Sequence, residues 1–68
     1  MKTNRKPRPV EVTIYVLRVF DWLGHPVREL DGLIDYSTKD AESSIRMIKE
    51  DHPSYHAYYE EQTVIEYV

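Results

Sequence analysis

The chain has no cysteine. That excludes disulfide stapling and the thiolate zinc sites that hold many small domains together. Glycine occurs only as Gly24 and Gly32, too sparse for a phosphate-cradling loop. No apolar run approaches the roughly 20 residues that span a bilayer. The basic start, Met1 to Pro9, leads into a stretch interrupted by Glu11 and Arg18, not into a continuous apolar segment of the signal-peptide kind. These absences predict a soluble cytoplasmic protein without membrane association.

Basic residues are also scarce beyond Pro9. Lys2, Arg5, Lys6 and Arg8 precede Val10, which leaves five basic residues against twelve acidic ones in the body, a net −7 within an overall −3. An acidic body does not suit a phosphate-binding face, so nucleic acid would have to be met through the arm. With Pro7, Pro9 and no hydrophobe after Met1, residues 1–9 are expected to form a flexible basic arm. The plainer reading is a solubilising tail. Residues 10–68 then form one domain, of a size at which apolar burial only narrowly exceeds chain entropy. Oligomerisation is the common remedy, and it predicts a homodimer, formed by an open sheet face or by pairing of an edge strand.

What is present is organised around Val10 to Trp22. The even positions Val10, Val12, Ile14, Val16, Phe20 and Trp22 are apolar, broken only by Arg18, which is the period of a strand. Tyr15, Leu17 and Val19 make the other face partly apolar as well, so this strand belongs mid-sheet. After the turn cluster Leu23-Gly24-His25-Pro26, Val27 to Tyr36 is read as a second strand. Pairing Phe20 with Leu30, Val16 with Ile34 and Ile14 with Tyr36 matches apolar residues, whereas a one-residue slip would bury Glu29 and Asp31. In this register Arg18 faces Gly32 and has room to lead its guanidinium to the rim. A bulge that swings Arg18 outward is the alternative.

Ser37 with Asp40 three residues later approximates a capping box and opens a helix. Its stripe of Ala41, Ser44, Ile45 and Ile48 faces the sheet, Met47 lies at its edge, and Pro53 stops it. A third strand is expected beyond, most secure from Thr63 to Tyr67, with a helical turn over Pro53 to Glu61 or a terminal hairpin as alternatives. The pieces give an α+β, ββαβ domain: a three-stranded antiparallel sheet of order 2-1-3 with one helix packed on one face. The helix is expected over Val12, Ile14, Val16, Phe20, Leu30 and Ile34. Tyr15, Leu17, Val19 and Leu33 would remain as an open patch.

Chemistry-bearing patterns are weak. His52 and His56 have the spacing of a metal pair, but Pro53 interrupts any shared helical face. No carboxylate pair or nucleophile motif is recognisable, so no enzymatic activity, cofactor or metal is expected. Six Tyr in 68 residues are more telling. Tyr buries large area at low entropic cost and tolerates water at its hydroxyl, which favours interfaces, although some of these must fill the core. The expectation is a small non-enzymatic protein-binding module that self-associates and acts by occupying a partner protein's surface. Inhibitors and adaptors of phage or mobile elements share that economy by association. The expected interface is Tyr15, Leu17, Val19, Leu33, Tyr58 and Tyr59. The alternative is nucleic-acid binding through Lys2, Arg5, Lys6 and Arg8 of a dimer.

Overall fold

A computed structural model of the chain describes residues 6–68. The alternating stretch forms β1 (Pro9–Phe20), followed by a short β2 (Ile34–Asp35), α1 (Thr38–Asp51) and β3 (His56–Tyr67). The sheet is antiparallel with the order β2-β1-β3 and the helix lies on one face, which is the expected ββαβ arrangement. Ser37 Oγ caps the helix by accepting from the Asp40 N–H at 3.1 Å, and the His52 N–H closes its other end on Ile48 O. Ala41 and Ile48 are buried as the stripe requires, whereas Met47 is 63% exposed and fills no edge. Among the described residues no helix is long and apolar enough to cross a membrane.

β3 runs unbroken through Glu60-Glu61-Gln62, so neither the helical turn nor the terminal hairpin forms. The polar run is tolerated because each member lies opposite a β1 residue, with Glu60 against Val16, Glu61 against Tyr15 and Gln62 against Ile14. β2 is much shorter than the expected Val27 to Tyr36. Its predicted register holds at Val16 with Ile34 and Tyr15 with Asp35. Upstream, Phe20 bridges Pro26 instead of Leu30. The intervening chain folds into a single helical turn, with the Leu30 and Asp31 amides both donating to Val27 O.

That excursion is possible because the β1 edge is still satisfied. The Leu17 N–H donates to Leu33 O and the Gly32 N–H to Leu17 O, so two residues oppose one in a bulge with Gly32 at φ +91°. The Val19 N–H, which would otherwise lack a strand partner, donates to the Asp31 carboxylate at 2.9 Å, and Val19 O accepts from the Val27 N–H.

The helix covers the opposite face from the one expected. Leu17 (2% exposed) and Val19 (0%) form the core with Ala41, Ile48 and Ala57, bordered by Tyr15, Val27, Leu30, Ile45, Tyr55 and Tyr59. The reason lies in β3, whose even residues His56, Tyr58, Glu60, Gln62 and Glu66 share a face with Arg18. A helix there would bury charge, whereas the odd residues beneath it, Ala57 and Tyr59, are small or amphipathic. Beyond Tyr15 the sheet continues as β1 and β3 alone. The molecule is accordingly long, 58 × 22 × 19 Å, with a radius of gyration of 16.4 Å where a compact chain of this length has about 11 Å.

The expected flexible arm, residues 1–9, falls partly outside the described residues. Its end is strand: Pro9 belongs to β1, and Arg8 exchanges two backbone hydrogen bonds with Val68 at 2.9 and 3.1 Å. A substitution pair tests the exchange of faces. Leu17→Ala should lower unfolding free energy by about 2–5 kcal/mol in denaturant titration, and Leu17→Glu should abolish the cooperative transition. Ile34→Glu, at a site 48% exposed, should keep it.

Candidate protein interface

The face of the sheet away from the helix carries the even residues of β1 and β3. Period-2 geometry places Val12, Ile14, Val16 and Val64 there with Ile34 of β2. Ile14, at 6% exposure, is the floor of this strip, and Ile34 stands at its rim. Next to it Arg18 spans two carboxylates. Its Nε donates to Asp31 Oδ1 at 3.0 Å, and its Nη1 to Glu60 Oε1 at 3.1 Å. The guanidinium carbon lies 5.2 Å from the centre of the Phe20 ring, and Phe20 stacks on Tyr58 at 6.4 Å and 20°. Arg18 therefore does not face Gly32, which opposes Leu17 in the bulge. It is a paired cation over the ring of Phe20, stabilised by charge-assisted bonds and by the negative face of that ring.

The electrostatics follow from those contacts. The Val19 N–H, and then Arg18, hold the Asp31 carboxyl below the usual carboxylate range. Asp31, and then Glu60, raise the Arg18 guanidinium still further. On the helix side, burial pushes the Tyr15 phenol up, and Glu61 opposite adds to it.

The residues expected at an interface are divided between the two faces. Leu17 and Val19 are core, so the open patch expected around them does not exist. Tyr15 and Tyr59 are half-buried beside them, ring edge to ring face at 5.6 Å and 82°. Leu33 is 49% exposed next to β2. Tyr58, also 49% exposed, lies on the open face with Phe20, Arg18 and Ile34, which were not expected there. The signal that could have found them was the charge on alternate residues of β3. Of the basic residues, Lys6 and Arg8 are exposed, and Lys2 and Arg5 lie outside the described residues.

The histidines do not converge. His52 stacks on Tyr55 at 4.4 Å and 11°, while His56 begins β3 opposite Phe20. Among the described residues no group of three or more His, Cys, Asp or Glu could hold a metal ion. A hollow at the helix end is lined by Lys49, Pro53, Ser54, Tyr55, His56 and Tyr58.

The depressed Asp31 carboxyl sets a pH dependence. Its contribution is present above the unfolded carboxylate pKa of about 3.9 and is lost as pH falls through its lower folded value. At pH 7 thermal melts should rank the parent above Asp31→Asn, which keeps an acceptor for Val19, and Asp31→Asn above Asp31→Ala. The gap between parent and Asp31→Asn should narrow as pH falls below the unfolded carboxylate pKa of about 3.9. A gap independent of pH would mean that the Asp31 charge contributes nothing.

Compared with models of known protein families, with curated proteins and with solved structures, the chain matches none.

Proposed function

We propose that this chain is a small non-enzymatic protein-binding module that self-associates and occupies a partner protein's surface through the open face of its sheet. The observation that carries the reading is the open face itself. An apolar strip of Val12, Ile14, Val16, Ile34 and Val64 runs beside a stacked Phe20 and Tyr58 and an arginine already paired with two carboxylates. A contiguous apolar patch flanked by aromatic and arginine anchors is the composition of an interface centre. The pairing of Arg18 lowers the cost of covering it, since the charge is compensated before a partner arrives. An inhibitor or adaptor acting in the cytoplasm fits such a surface.

A second reading, nucleic-acid binding through Lys2, Arg5, Lys6 and Arg8, is favoured by one placement. The Arg8–Val68 hydrogen bonds fix the end of the basic segment at the far end of the β1–β3 ribbon, away from the helix.

Capture from the native host lysate by immobilised protein separates the two readings. Tyr58→Ala and Ile34→Glu should each weaken retention of a protein partner by about tenfold or more while circular dichroism is unchanged. Retention that survives both but disappears on deletion of residues 1–8, and that falls steeply with salt, would transfer the function to the arm.

A further inference from the structure

β3 is an edge strand over its whole length. Because Arg8 and Val68 exchange both backbone hydrogen bonds, alternation along the ladder turns the N–H and C=O groups of the even-numbered β3 residues toward β1. Those of the odd-numbered residues, Ala57 to Tyr67, point away from the sheet. Long edges of this kind are usually blunted by proline, by a bulge or by charged side chains, lysine above all, and of these β3 carries only Glu60, Glu61 and Glu66. His56–Tyr67 contains neither proline nor lysine and pairs with β1 without a break.

We propose that a second copy of this chain occupies this edge, β3 against β3, antiparallel about a two-fold axis at Gln62. The strands of both copies then form one continuous sheet. This rests on the self-association proposed above and specifies its geometry.

The charges select the register. Hydrogen bonding from odd residues on both copies allows only pairings that set odd against odd and even against even. With the axis at Gln62, Glu60 faces the partner's Val64, Glu61 the partner's Thr63 and Glu66 the partner's Tyr58. No two carboxylates are opposed. Moving the axis to Glu61 sets that residue against its own copy, and moving it to Thr63 sets Glu60 against the partner's Glu66, both of which are repulsive. Axes farther out leave much of the edge unpaired.

The same register accounts for two exposed hydrophobic residues on the helix side of the ribbon. Ile65 (51% exposed) falls beside the partner's Tyr59, and Tyr67 (69%) beside the partner's Ala57. Ser44 Oγ donates to Asp35 at 2.9 Å, which marks the flank of α1 over β2. The opposite flank packs toward β3, where Lys49 lines a hollow together with Tyr55, His56 and Tyr58 at the start of that strand. In the dimer Ile65 and Tyr67 therefore pass under that flank of the partner's helix. The far end of each ribbon, beyond the reach of its own helix, is covered by the other copy's.

The absence of cysteine makes a clean test. Light scattering coupled to size exclusion at micromolar concentration should give about twice the 8.1 kDa chain mass. Two copies of position 62 would form a non-hydrogen-bonded pair with Cα atoms about 4.5 Å apart, within disulfide range. In oxidised glutathione Gln62→Cys should therefore convert to a covalent dimer. Val64→Cys should not, because its two copies are offset by four residues, roughly 13 Å along the strand. Ile65→Glu should shift the mass to monomer with circular dichroism unchanged. A dimer that cross-links through position 64 but not 62, or that survives Ile65→Glu, would overturn the edge pairing and leave self-association standing. A parent monomer at about 100 μM would overturn both.

Discussion

Arg18 sits in the middle of the central strand and cannot be buried unpaired, and the placement of the other elements follows from that constraint. A lone guanidinium under a helix would lose its hydration without return. The fold turns Arg18 to the open face and gives it Asp31 and Glu60, one from each side of β1. The opposite face, with Leu17 and Val19, is then the one left for the helix. Ala41 and Ala57, both nearly inaccessible, lie within that core as small residues that let α1 approach the strands closely.

Asp31 serves that constraint twice. Its carboxylate neutralises Arg18 and also accepts the Val19 amide, taking the place of a strand partner where β2 departs from the ladder. One side chain thus allows the chain from Val27 to Asp31 to leave the sheet as a helical turn. It brings Val27 and Leu30 against the core without leaving β1 with an orphaned donor. The cost is a charged group at the centre of the hydrogen-bond pattern, whose carboxyl its partners hold below the usual carboxylate range.

The geometry also separates two kinds of surface. The open face offers side chains, an apolar strip beside paired charge and stacked rings, and suits a partner with its own apolar patch. The β3 edge offers backbone, and suits another strand. A ribbon that outruns its own helix exposes both faces at once, and two-stranded ribbons are at best marginally stable alone in water. Association through the edge would relieve that without consuming the open face.

Alternation alone determined that the stretch from Val10 to Phe20 is a strand at the centre of a 2-1-3 sheet, although the expected end at Trp22 lies in the turn, 70% exposed. The apolar match of Val16 with Ile34 determined its register with β2, and Ser37, Asp40 and Pro53 bracketed the helix. These are local properties, set by periods of 2 and 3.6 and by capping chemistry, and they survive in any tertiary context. Which face the helix covers was not local. Both faces of β1 are apolar enough to serve, and the decision came from β3, whose Glu60 meets Arg18 only after the crossover has brought residues 56–67 alongside. The shortness of β2 was equally out of reach, since it depends on a carboxylate replacing a backbone acceptor across the sheet. Position along a strand can be read from sequence, but the sign of the charge facing it from another strand is decided only when the strands pair.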